Sequence, residues 1–349
     1  MQGGAEVVEC GARFLRRWNR GRNSPKERVS QLNYPANGHT HEHNRPDEAQ
    51  PSPGPRKRPD ALRLAIRVTV FVVVFYALQR FVVGPLLVWL LLGVAGPLLA
   101  ELVSAVLATW LALRIYEDIP VFAVGLWWNR SSVQNLTLGM LGGVGAAALA
   151  LVPPLLTGAA QVHSVAHSLD YGAVLFAAAG VAAGAAGEEL LFRGYGFQIL
   201  MATLGPWATI VPVGLLFGWM HNANPNAGPL SLMNTAGFGI LFGYAFLRSR
   251  DLWLPIGLHL GWNFTLPLFG ANLSGFTMFN EITGHEMVWR AGVLWSGGGY
   301  GPEASILTSA ALVPLFVYIW KAPLRRQTSP LTDVPGECAT CEPSPPLPS

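Results

Sequence analysis

Apolar residues run along this chain in long blocks broken by short polar or basic stretches, with neither the alternation of strands nor the one-sided stripe of surface helices. A helix needs about 20 residues, at about 1.5 Å each, to cross about 30 Å of hydrocarbon. Eight blocks approach that length: 66–92, 95–115, 136–157, 173–200, 207–222, 231–248, 252–270 and 304–320. The pattern predicts an all-α, polytopic integral membrane bundle of about eight transmembrane helices. An even number places both termini on one side. Arg114 and Arg130 flank the second loop, Arg248 and Arg250 the sixth, and Lys321, Arg325 and Arg326 follow the last block. The alternate loops carry little basic charge apart from Arg290, so the positive-inside rule puts both ends in the cytoplasm, with the plasma membrane as the expected location. Gln79 and Arg80 interrupt the first block and make its boundary the least sharp.

Composition agrees with that class. Of 349 residues, 51% are hydrophobic and only 12% charged, too few charges for a soluble domain of this size. The net charge of +3 is small and gathers near the start of the chain, which argues against a nucleic-acid partner. Residues 1–60 are polar, basic and without hydrophobic period, and read as a disordered cytoplasmic tail; 322–349 read as a Pro-rich disordered tail. Residues 61–321 then form the membrane domain. Cys10, Cys338 and Cys341 all sit in the tails, so no disulfide framework is expected.

Ionisable residues inside apolar helices cost roughly 2.5–3.5 kcal/mol each on insertion scales, so the segment "GEELLFRG" needs a reason for Glu188, Glu189 and Arg193. Glu189 and Arg193 are four apart on one helix face and can neutralise each other. Glu188 is rotated about 100° from Glu189 and requires a different partner. Two later blocks offer candidates with the same spacing: Phe217 and His221 in "FGWMH", and His259 and Asn263 in "HLGWN". A single histidine in a membrane helix is commonly a packing donor. Together, a carboxylate, two imidazoles and an amide on apolar helices supply a base, a proton carrier and donors for an oxyanion.

Glu188-Glu189-x-x-x-Arg193, Phe217-x-x-x-His221 and His259-x-x-x-Asn263 stand in the order of the three motifs of the CAAX-protease and bacteriocin-processing (CPBP) intramembrane proteases. The chain resembles that family most closely over 173–270. The resemblance implies that Glu188 and His221 activate a water, that His259 and Asn263 stabilise the oxyanion, and that Glu189 and Arg193 support the helix. Glu188, His221 and His259 are also a possible zinc set, because such members are commonly called metalloproteases. An Asn beside a His suits an oxyanion hole better than a zinc shell, which favours a mechanism without an obligatory metal.

Other protease signatures are missing: no H-E-x-x-H, no G-x-G-D and no G-x-S-x-G occurs. His163 and His167 have ligand-like spacing but lie in an expected external loop without a carboxylate run. The loop 271–303, glycine-rich and aromatic, is expected either to cover the site or to form an interfacial belt. Asn135 and Asn272 begin glycosylation sequons, Asn135 on the cytoplasmic side.

The resemblance implies an intramembrane endopeptidase acting on a membrane-associated protein or peptide in the lipid bilayer. A non-catalytic immunity or scaffold protein of the same fold is the main alternative. A transporter is a third, although no internal repeat of the polar helices supports it.

Overall fold

A computed structural model describes residues 61–91, 95–165, 170–277 and 282–332. The N-terminal tail, His167, Cys338 and Cys341 lie outside the described residues.

Each of the eight expected spans has a helical counterpart. Helix α1 comprises Ala61–Ala77, a π-helical turn Leu78–Val83 and Gly84–Leu91. It is followed by α2 (Ala95–Tyr116) and α3 (Arg130–Leu156). Next come α4 (Tyr171–Arg193) and α5 (Tyr195–Leu204), the two halves of one expected span bent at Gly194. Then come α6 (Pro206–Met220), α7 (Pro229–Ser249), α8 (Trp253–Leu268) and α9 (Ile306–Lys321). Helix α1, α2, α3, α4 with α5, and α7 are long and apolar enough to cross a membrane. Helices α6, α8 and α9 have 15, 16 and 16 residues, short of the usual crossing length. Local chemistry trims them. Gly205 at φ 92° and Pro206 start α6, Arg250 at φ 57° turns the chain before α8, and Pro267 precedes its last residue. Large apolar side chains stand exposed on the bundle surface, Phe81, Leu156, Leu175 and Val313 among them, as lipid contact requires.

Small residues set how closely the helices pack. On α3, a Cβ placed on Gly139 or Gly143 would lie 2.3 Å from the Leu254 carbonyl oxygen or 2.2 Å from that of Leu258 on α8. The relation is reciprocal: Gly257 and Gly261 of α8 press on the Leu136 and Met140 carbonyls of α3. The two backbones therefore touch at four glycines, the small-xxx-small packing that substitutes for a hydrophobic drive inside a bilayer. Helix α4 meets α2 the same way, where a Cβ on Gly187 would lie 2.8 Å from the Leu102 nitrogen. Side chains around these contacts form two apolar cores. One holds Leu151, Phe238, Phe242, Leu258, Trp262 and Leu315; the other holds Phe71, Leu113, Tyr195, Ile210 and Phe246.

Two further elements depart from the sequence reading. Strands β1 (Ala160–Ser164) and β2 (His285–Trp289) pair antiparallel, from Ala160 opposite Trp289 to Ser164 opposite His285. His163 is thus an exposed strand residue opposite Glu286, and the loop 271–303 holds a strand rather than coil alone. Neither strand has strong apolar alternation, so the pairing is a tertiary decision.

Residues 322–332 also differ from the expected loose tail. Arg325 donates its N–H to Asn135 Oδ1 at 3.0 Å, and Gln327 Nε2 donates to Asp251 Oδ2 at 2.7 Å. Asn135 Nδ2 donates to the same Asp251 oxygen at 2.7 Å, and Ser329 Oγ to Gln198 Oε1 at 2.9 Å. The polar strap is invisible to hydrophobic periodicity because hydrogen bonds to the turn before α8 hold it. Asn135 is fully buried by this network, which removes it as a glycosylation acceptor in the folded protein.

Gly143→Val is expected to prevent close α3–α8 packing and lower the unfolding temperature in detergent sharply, a loss of about 1–3 kcal/mol or more. Gly145→Val, where nothing lies within 4 Å of the added carbon, is expected to be tolerated. Burial pushes the Asp251 carboxyl above its ordinary range, against the Asn135, Gln327 and Ser249 side chains and the Leu254 N–H. A folded pKa above the unfolded one means that this group's contribution is fullest below about pH 4 and falls as pH rises through the folded value. Asp251→Asn should flatten that part of the melting-temperature profile; an unchanged slope would contradict the assignment.

Candidate active site

Three helices deliver the motif residues to one place. Helix α4 brings Glu188 six residues before Gly194, where the chain bends. Helix α6 ends at His221, whose backbone (φ −79°, ψ 0°) opens the 3-10 turn His221–Ala223. Helix α8 presents His259 nearly two turns after its entry and Asn263 one turn later, half-buried on the same face.

Glu188 Oε2 lies 4.0 Å from His221 Nε2 and 3.9 Å from His259 Nε2. It makes no hydrogen bond to a described residue. These separations are too long for direct bonds and suit a single water hydrogen-bonded on both sides. The other nitrogen of each ring is tied to the fold. His221 Nδ1 lies 2.8 Å from the Phe217 carbonyl oxygen, which can only accept, so Nδ1 carries the proton. His259 Nδ1 lies 3.0 Å from Glu189 Oε1 and donates to it. Both rings are therefore fixed with Nε2 turned toward Glu188.

Glu189 does more than neutralise Arg193. Its Oε1 accepts Arg193 Nη1 at 3.2 Å as well as the His259 proton, and both partners of the ion pair are fully buried. Arg193 Nη2 donates to the Gly239 carbonyl of α7 at 2.8 Å. The guanidinium lies 4.7 Å from the Phe217 ring centroid, 5.3 Å from Phe242 and 5.7 Å from Phe192. Phe242 also stacks on the His259 ring, centroids 5.1 Å apart at 22°. The pair anticipated from the i,i+4 spacing is thus the hub of a buried network that orients one of the two imidazoles.

Sequence reasoning missed Gly239, Phe242 and the Glu189–His259 bond, because α7 carries no polar residue at those positions to signal a contact. It also missed Glu303, a buried carboxylate that accepts from Trp262 Nε1 at 3.2 Å beside Asn263. His163 lies apart on β1, and no described interaction joins it to Glu188, His221 or His259.

The donor types at Glu188, His221 and His259 would serve zinc, and the Glu189–His259 bond is of the kind that orients a metal-bound imidazole. Their spacing here is wider than such a site takes. Ligands about 2.1 Å from a tetrahedral zinc stand about 3.4 Å apart, nearer than the 3.9 and 4.0 Å found. Among the described residues no group of three or more His, Cys, Asp or Glu is arranged to hold a metal ion.

Residues 170–265 match a family described as type II CAAX prenyl endopeptidase, Rce1-like, consistent with a CPBP family intramembrane protease. The matched stretch spans Glu188, Glu189, Arg193, His221, His259 and Asn263 and stops before the loop that carries Glu303. No curated protein and no solved structure matches the chain.

Removing Arg193 would leave Glu189 buried without its guanidinium partner and with only the His259 bond. Arg193→Ala should therefore cost about 3–5 kcal/mol of stability, read as loss of folded protein in detergent. Glu188→Gln, which changes a partly exposed carboxylate outside that ion pair, should unfold within a few degrees of the wild type. The reverse ranking would mean that Glu188, not Glu189, holds the bundle together.

Proposed function

We propose that the protein is an intramembrane endopeptidase that hydrolyses a peptide bond of a membrane-associated protein or peptide. The observation that carries this reading is the placement of one carboxylate oxygen opposite the free nitrogens of two imidazoles whose other nitrogens are tied down.

A water between Glu188 and His221 donates one hydrogen to Oε2 and the other to Nε2. Both protein atoms are acceptors when Glu188 is ionised and His221 neutral, so the oxygen lone pairs of the water are left for the substrate carbonyl carbon. Attack transfers the proton to Glu188, forms the new carbon–oxygen bond and places negative charge on the carbonyl oxygen. His259, held between two carboxylates as an imidazolium with a proton on each ring nitrogen, donates from Nε2 to that oxygen while Glu189 keeps Nδ1. Asn263, whose side chain makes no hydrogen bond within the described residues, supplies a second donor from its amide. Fixed donors in an apolar bundle stabilise such a charge more than water does. Collapse of the intermediate breaks the carbon–nitrogen bond, and Glu188 returns its proton to the leaving amine. Zinc enters no step of this scheme.

The family match supports an endopeptidase of the CAAX-processing type, and the apolar helices support a substrate that reaches the site from the bilayer. The purified wild-type protein should cleave members of a membrane-peptide library. Glu188→Ala and His221→Ala should lower kcat by about 10²–10⁴, and Asn263→Ala by about 10²–10³. Activity should survive extended dialysis against a chelator. Loss that added zinc restores would show that a metal is required, and equal activity in wild type and Glu188→Ala would favour a non-catalytic immunity or scaffold role.

A further inference from the structure

Glu303 belongs to none of the three motifs, yet it sits at the junction of the segments that carry two of them. It lies on the 3-10 turn Pro302–Ala304 and is 8% exposed. Its Oε1 accepts Trp262 Nε1 at 3.2 Å and Ser274 Oγ at 3.3 Å, and its Oε2 accepts the Ser274 N–H in a short bond. Its backbone carbonyl accepts Asn234 Nδ2 of α7 at 2.8 Å, and the same amide donates to the Ser305 carbonyl at 2.9 Å.

Each contact leads toward the site. Trp262 is 2% exposed and lies between His259 and Asn263 in α8, so its indole fixes the rotation of the turn bearing both donors. Ser274 precedes Gly275, at φ 88°, where a Cβ would fall 2.1 Å from the Pro225 carbonyl oxygen. Pro225 follows the 3-10 turn that begins at His221. Glu303 is thus linked through Trp262 to His259 and Asn263, and through Ser274 and Gly275 to the segment leaving His221. Burial holds the Glu303 carboxyl above its ordinary range, and the Ser274 and Trp262 bonds oppose that rise.

We infer that Glu303 is a positioning residue of the proposed reaction, setting the distance between the His221 end of α6 and the His259–Asn263 turn of α8. The inference rests on the peptidase reading above. A buried carboxylate that accepts three hydrogen bonds is costly to form in an apolar bundle, and a loop anchored only for stability would use an apolar contact at less cost. Its geometric return is that water activation and oxyanion donation, carried on separate helices, keep a common frame. Displacement by about 1 Å of groups so placed costs on the order of 10²-fold in rate.

The test uses the full chain in detergent, with cleavage rates per folded protein measured for wild type, Glu303→Ala, Glu303→Gln and Trp262→Phe. Glu303→Ala and Trp262→Phe should each lower kcat by about tenfold or more, with KM within about twofold, because bound substrate meets a misaligned site. Glu303→Gln, which keeps an acceptor for the indole, should recover most of the rate. The Ala/Phe double variant should be no slower than Glu303→Ala, since both changes break one link. Should Glu303→Ala fail to fold, Trp262→Phe, which deletes one N–H and keeps an aromatic ring, decides with Glu303→Gln. Wild-type rates in Trp262→Phe, or losses that multiply in the double variant, overturn the inference while leaving the peptidase reading intact. Absence of cleavage by the wild type sinks both.

Discussion

A carboxylate with no exposed surface, Glu189, governs the arrangement of this bundle. Its charge cannot remain alone in an apolar interior, and it is satisfied by the Arg193 guanidinium one turn away on α4 and by His259 on α8. Arg193 in turn reaches the Gly239 carbonyl on α7 and lies among Phe192, Phe217 and Phe242. One ion pair therefore joins α4, α6, α7 and α8. The helices that must meet for chemistry are the ones that must meet to neutralise charge, so folding and site assembly are a single event.

That meeting depends on backbone proximity as well as charge. Glycines on α3 and α8 let the two helices touch along four positions, and Gly187 lets α4 approach α2 beside Glu188. Side chains there would hold the helices apart by their own width, and an imidazole has no flexible stem with which to span such a gap. Small residues at the helix contacts and ionisable residues one step away are thus two parts of one solution. At the end where α8 finishes, strands β1 and β2 and the segments around Gly275 and Glu303 close over the helices, with Met287 of β2 buried in the core.

Much of the candidate site was legible in the chain before folding. Glu189 and Arg193 stand four apart, and that interval on a helix predicts their contact, found at 3.2 Å. The reasoning that left Glu188 over for another partner is met by His221 and His259, each about 4 Å from its Oε2. The bond from His259 to Glu189 was not legible. It depends on how α8 rotates against α4, which no spacing in the motif encodes. Glu303 escaped notice because it sits in a loop with no period. Residues 322–332 escaped it because a polar, Pro-containing stretch looks the same whether water or Asp251 satisfies it.

Hydrophobic blocks by themselves determined an all-α membrane bundle, the order of its helices and the faces on which Glu188, His221, His259 and Asn263 lie, since burial of backbone groups in lipid leaves a helix few alternatives. They did not determine helix ends, the β1–β2 pairing, the anchoring of the C-terminal strap or the second role of Glu189. Those rest on single hydrogen bonds and on contacts between residues distant in the chain, which become definite only once close packing has fixed how the helices are rotated and offset against one another.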